Sequence, residues 1–246
     1  MPPIRKGDGT PVAPKGISQI RTGDGRILFG GVAIPDLVTD YEFESLSDNF
    51  SIVGDWSLSS GSVEGDKGLS SDSDNDQEVT LSEPGDGLDR YPDPGEPVSF
   101  LHRENGAVPG AVVSGAFDGD ASWSNFDGYS VEFRDGFFLI FRHDGGSRTE
   151  IASKSPSKTN GDWFELVINP PKDENDGIKA WAFEIDENEV NSEASPSDYR
   201  TTEIDVVEAS DEDAYRDQRG VGAVTRSTDS GLCQDLIRCG NGVLPE

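Results

Sequence analysis

The chain has 246 residues, and its 48 acidic against 20 basic side chains give a formal net charge of −28 spread along the whole length. Phosphate neutralisation needs a basic face, so this balance excludes nucleic-acid binding and opposes adsorption to an acidic bilayer. The length suffices for one large all-β domain with a real core plus an accessory segment.

Low hydrophobicity with high charge is the composition of disorder, but aromatic and β-branched runs recur too regularly here for that reading. The acidity fits adaptation to very high salt. Asp outnumbers Glu and lysines number only seven. At molar ionic strength the Debye length falls to about 3 Å, which removes the self-repulsion. No stretch approaches the roughly 18 apolar residues of a membrane span, and Met1-Pro2-Pro3 does not open a signal peptide. Neither membrane insertion nor ordinary secretory export is expected.

Residues 1–40 differ in composition from the rest of the chain. Prolines stand at 2, 3, 11, 14 and 35, and "IRKGDG" at Ile4–Gly9 returns as "IRTGDG" at Ile20–Gly25. Each copy reads as a strand ending in a tight glycine turn. The segment holds too little apolar material for its own core, so it is expected to dock on a partner as a small β-rich anchoring and oligomerisation arm.

From residue 41 to 246, short alternating apolar runs are separated by Gly, Asp and Asn clusters, with no sustained helical period. In "YSVEFRDGFFLIFRHDGGSRTEIAS", Tyr129, Val131 and Phe133 alternate with polar neighbours. Asp135-Gly136 makes a two-residue hairpin, Phe137, Leu139 and Phe141 continue on the return strand, and "HDGG" turns again. The runs "WFELVIN", "IKAWAFEID", "TEIDVVEAS", "GVGAVTRS" and "LCQDLIRC" complete the spacing of a sandwich, and "SDEDAYRDQ" is the one stretch expected to hold a short helical turn. The fold class is all-β, an antiparallel two-sheet jelly-roll sandwich. Trp56, Trp163 and Trp181 fall in strand-like runs and read as core. Cys233 and Cys239 would lie about 20 Å apart along one extended strand, so they read as two buried thiols.

The order "DNFSIVGDWSLSSGSVEGDKGLSS", "YSVEFRDGFFLIFR", "DWFELVIN…IKAWAFEID", "GVGAVTRS…CQDLIRC" resembles the concanavalin A-like lectin/glucanase jelly roll in its laminin-G-like forms. Asp48, Phe50, Trp56, Trp163, Gly220, Gly222 and Asp235 stand where that family's marker residues would fall. A second resemblance lies in "GISQIRTGDGRILFGG" followed by "IPD", which is similar to the short N-terminal segments of structural proteins in haloarchaeal tailed viruses. It implies a virion surface protein (tail fibre, baseplate or capsid spike) made in the host cytoplasm and extracellular after release. Its partners would be other virion proteins through residues 1–40, further copies of itself, and a host surface glycan or glycoprotein.

Three constellations carry chemistry. Glu184, Asp186 and Glu189 in "FEIDENEV" reproduce the Glu-x-Asp-x-x-Glu order of the lectin-like glucanases, which would make the protein a glycan depolymerase with Glu184 and Glu189 as nucleophile and acid/base. Strand geometry opposes this, since Glu189 points away from Glu184 unless a bulge intervenes. Asp72, Asp74, Asp76 and Glu83 have the spacing of a calcium loop, but Gln77 occupies the position that needs glycine. A solvated loop and an irregular site for calcium or another cation both remain open there. Binding is argued best from "FDGDASWSNFDGYS", where Trp123 and Phe126 could stack on a sugar while Asp120, Asn125 and Asp127 accept its hydroxyl hydrogen bonds. The other reading has Trp123 closing one end of the sandwich. His102 and His143 have no nucleophile at motif spacing, so a catalytic triad is not expected. The expected function is lectin-like attachment to a host surface; the depolymerase and a cellular halophilic lectin-like domain are the alternatives.

Overall fold

The computed structural model describes residues 35–71, 78–103, 109–115, 122, 125–134, 137–155, 163–173, 176–211, 214–225 and 231–245. The repeat at residues 4–25 lies outside them, as do Asp72, Asp74, Asp76, Asp120 and Trp123.

The described chain is almost entirely strand. The first strands are β1 (Asp36–Thr39), β2 (Ser51–Val53), β3 (Trp56–Ser59), β4 (Gly68–Ser71) and β5 (Glu78–Ser82). Next come β6 (Val98–Arg103), β7 (Pro109–Ser114), β8 (Gly128–Arg134), β9 (Phe137–Asp144) and β10 (Ser147–Lys154). The last are β11 (Trp163–Asn169), β12 (Ile178–Ile185), β13 (Arg200–Ala209), β14 (Gly220–Thr225) and β15 (Gly231–Cys239).

These strands form two antiparallel sheets. The eight-stranded sheet runs β13-β12-β11-β6-β15-β4-β3 with β1 added on β15, and the seven-stranded sheet runs β10-β9-β8-β7-β14-β5-β2. This is the jelly-roll sandwich that the alternating runs require. The expected hairpin forms with Arg134 opposite Phe137. At the second turn Gly145 and Gly146 both take positive φ, +45° and +95°, as a two-residue hairpin that follows the strand twist demands.

Two expectations are corrected. A boundary at residue 40 separates β1 from the domain, yet β1 pairs with Ile237–Cys239 of β15, and its Val38 belongs to the core. Burying Val38 ties the end of the segment to the sandwich by hydrophobic transfer. The helical turn expected in "SDEDAYRDQ" is absent from its described residues; the short helix is Pro196–Tyr199, where proline suits the first turn and the Asp198 carboxylate accepts the Ser195 N–H at 2.8 Å.

Between the sheets, Phe133 of β8 meets Phe164 of β11 edge-on at 5.1 Å, and Phe138 lies 5.6 Å from Phe133. Such pairs add about 0.5–1.5 kcal/mol beyond the area they bury. Cys233 and Cys239 are buried free thiols, as their spacing implied. Gly222 on β14 has a specific reason to be glycine: a Cβ there would sit 1.9 Å from the carbonyl oxygen of Thr80 on β5.

At β11 the eight-stranded sheet is buried on both faces, which is why this strand reads as a continuous apolar run and not an alternating one. Phe164, Leu166 and Ile168 face the sandwich interior. On the outer face Trp163 packs with Leu101, Val190, Ala194, Tyr199 and Leu236, and Val167 packs with Trp181, Phe183 and Val243. The cover comes from the turns between β12 and β13 and from the C-terminal turn Asn241–Val243. Buried Glu165 anchors it, accepting from Tyr199 Oη at 3.0 Å and from Arg200 Nε at 2.5 Å. Arg200 Nη2 donates onward to the Val243 carbonyl at 2.6 Å. A buried carboxylate is tolerable only with such partners.

Candidate functional site

The three acidic residues of the glucanase-like order do not share a strand. Glu184 is on β12, opposite Phe164 and Thr202, but the strand ends at Ile185. Asp186 belongs to the following turn, where its Oδ1 accepts from the Asn188 amide at 3.1 Å and Nδ2 at 2.9 Å, and the Glu189 N–H donates to the Asp186 carbonyl at 3.1 Å. All three are exposed. Only Glu184 therefore lies on the strand, and the turn through Glu187 and Asn188 carries Asp186 and Glu189 off its face.

The aromatic-loop expectation is also revised where the loop is described. Phe126 has no accessible surface; its ring packs 4.5 Å from His143 and against Val79, Leu81, Val112 and Val224, so it is not open to a sugar. Asn125 Oδ1 accepts the Ser122 N–H at 2.6 Å, and Asp127 Oδ1 accepts the Gly145 N–H at 2.8 Å. Both side chains build turns. Glu83 likewise closes a turn with Asp86, whose Oδ2 accepts the Glu83 N–H at 2.9 Å. Among the described residues no three His, Cys, Asp or Glu side chains converge to hold a metal ion.

Beneath Phe126 lies a buried polar network on β8, β9 and β10. His143 Nε2 lies 2.8 Å from Ser130 Oγ, Glu132 pairs with Arg148, and the Arg148 guanidinium stacks 3.5 Å over Phe141. The carboxylate lies on the serine side, 3.4 Å from Ser130 Oγ, not behind the imidazole. Ser130, Glu132 and His143 are at most 1% exposed, so no nucleophile is presented to solvent.

An open site lies on the outer face of the eight-stranded sheet, where β11, β12 and β13 run out from under their cover. Asn169 is opposite Lys179, and Lys179 is opposite Glu208, giving a cross-strand row of amide, ammonium and carboxylate. The next row inward is apolar: Val167, Trp181 and Val206. Lys179 Nζ stands 5.0 Å over the Trp181 ring and 3.7 Å from Glu208 Oε2. An exposed pair of this kind contributes about 0–1 kcal/mol, so either group can exchange its partner for a ligand at little cost.

The row floors a cleft of 590 Å³. Pro170, Lys172 and Asp176 wall it from the β11–β12 turn, Ser210 from the end of β13, and Leu244 from the C-terminal segment. The Asp173–Asp176 turn is closed by the Asp176 N–H donating to the Asp173 carbonyl at 3.0 Å and by Asp176 Oδ2 accepting the Asp173 N–H at 3.2 Å. The site therefore offers donors and acceptors side by side, flanked by the apolar Pro170 and Leu244, the lining that a polyhydroxylated ligand needs.

Trp181 is buried in a hydrophobic cluster, as its strand-like run implied, and sequence reasoning misses the polar row beside it. The available signal is the two-residue interval from Lys179 to Trp181, which places a cation beside an indole on one strand face. That Asn169 and Glu208 complete the row depends on register between strands, which local sequence does not state.

No family model matches the chain, nor does any curated protein. Among solved structures, it is similar to a protein of unknown function from Shewanella oneidensis, with 14% identity, a TM-score of 0.51, and coverage of 93% of this chain and 94% of that one. It is also similar to a legume lectin-like domain from Entamoeba histolytica, with 11% identity, a TM-score of 0.50, and coverage of 85% and 97%. At such identities the likeness is one of fold, the antiparallel two-sheet jelly-roll sandwich.

Proposed function

We propose that this protein is a lectin-like module that binds a glycan in the cleft floored by Asn169, Lys179 and Glu208. The row itself carries the reading. Amide, ammonium and carboxylate at adjacent strand positions supply both signs of hydrogen bond, and Pro170 and Leu244 in the lining supply apolar surface beside them. The fold shared with a legume lectin-like domain supports the same class of ligand. A glycan array at molar salt, followed by calorimetry on the best hit, tests it. Asn169→Ala and Glu208→Ala should each weaken binding about tenfold or more, because a hydrogen bond to a charged group contributes about 1.5–3 kcal/mol. Unchanged affinity in both variants would remove the cleft from the reading.

The finer setting rests on the sequence. We place the module on the surface of a halophilic tailed virus, attached to the particle through residues 1–40 and directed at the host envelope. Portal and tail genes beside its own would support that setting, and an unrelated cellular operon would replace it with a cellular lectin.

A further inference from the structure

A second, smaller cleft of 210 Å³ opens on the same sheet face, lined by Phe183, Ser195, Pro196, Ser197, Arg200, Gly242, Leu244 and Pro245. Leu244 lines both clefts, so the two flank a single crossing of the C-terminal segment. On the outer face of β12 the larger cleft is lined at Lys179 and the smaller at Phe183, four residues on, about 13 Å at the rise of an extended chain.

The smaller cleft differs in chemistry from the larger. Among the described residues its lining contains no carboxylate side chain. The Arg200 guanidinium stacks 4.4 Å over the Phe183 ring, held there by Glu165 and the Val243 carbonyl. Nε and Nη2 are thereby occupied, and Nη1 has no hydrogen-bond partner among the described residues. Ser197 Oγ lies 3.0 Å from Ser195 Oγ at the rim. A fixed guanidinium edge beside hydroxyls, over a phenyl ring, favours an acceptor oxygen carried on a small apolar-faced unit.

We propose that the two clefts are subsites of one groove, which holds a linear oligosaccharide across Leu244. One sugar unit occupies the cleft of Asn169, Lys179 and Glu208. A unit further along the same chain lies against Phe183 with an acceptor oxygen on Arg200 Nη1. This rests on the glycan reading of the larger cleft and adds a second site and a minimum length for the ligand.

Calorimetry at molar salt with manno- and chito-oligosaccharides of one to four units tests it. Affinity should rise at least tenfold between one unit and four. Ser197→Trp, at an exposed position, should fill the smaller cleft, abolish the gain with length and leave monosaccharide affinity unchanged. Equal affinity for one to four units, or a length dependence untouched by Ser197→Trp, would overturn the two-subsite groove while sparing the glycan reading. Failure of every length to bind would overturn both.

Discussion

The carboxylate of Asp235, fully buried in β15, accepts the backbone N–H of Val63 at 2.7 Å and shares the same oxygen with the Glu64 N–H at 2.9 Å. Glu64 in turn accepts the Ser192 N–H at 3.0 Å, so one strand residue is linked through a loop to the cover of the eight-stranded sheet. Burial dominates the environment of Asp235 and, helped by the charge of Glu64, raises its pKa to about 7 against the pull of the backbone donors. In the unfolded chain the group ionises near 4. The folded state therefore binds more protons between about pH 4 and pH 7, and its stability falls as pH rises through that window. Denaturant melts across this range should show the decline, and Asp235→Asn should flatten it by an amount on the order of a few kcal/mol. An identical slope in the variant would assign the pH dependence to other groups.

His102 has the opposite sign. Its ring meets Phe164 edge-on at 5.2 Å, neither ring nitrogen has a hydrogen-bond partner, and burial lowers its pKa to about 3. The unfolded chain takes up a proton near pH 6.5, so stability is lost as pH falls from there towards 3. His102→Phe keeps the ring contact and removes two unsatisfied polar atoms. We expect it to raise the melting temperature, consistent with about 1–3 kcal/mol, and to remove this part of the acid sensitivity.

Glu184 and Glu189 should be dispensable. Replacing both with Gln is expected to change stability by no more than about 0.5 kcal/mol, as for most exposed sites. Purified wild-type protein should release no reducing sugar from host envelopes. Release that disappears in the double variant would establish the depolymerase instead.

Salt should decide whether the sandwich stays folded. With a net charge of −28, dialysis from molar salt into dilute buffer removes the screening, and circular dichroism should report unfolding or aggregation. A spectrum unchanged in dilute buffer would exclude obligate halophily.

The sandwich was legible because its signals are local. Alternation in "YSVEFR", the glycine turns and the Gly-x-Gly strand each specify a backbone state within a few residues. The candidate site was not legible, because Asn169, Lys179 and Glu208 meet through the register of three strands separated by long connections. Phe126 shows the converse error. A polar, glycine-marked neighbourhood looks like an exposed loop, but whether a ring points to solvent depends on what lies under it, and here that is His143. The same limit hid the double-sided burial of β11, whose cover is supplied from residues 186–199 and 241–244.

The edge of the larger sheet has a consequence for self-association. Among the described residues β13 is an unpaired edge ten residues long, the usual template for strand addition by a neighbouring molecule. Asp205 defends it twice: its Oδ1 accepts the Val206 N–H at 2.7 Å and holds Lys154 of the facing sheet's edge strand at 2.7 Å. With Glu203 and Glu208 on the same strand, a second copy docking edge to edge would oppose carboxylate to carboxylate. Molar salt weakens that repulsion but leaves the internal hydrogen bond and the lysine clasp in place. Crowded, salt-saturated conditions would otherwise favour runaway sheet growth, and Asp205 is the side chain that keeps this edge closed to it.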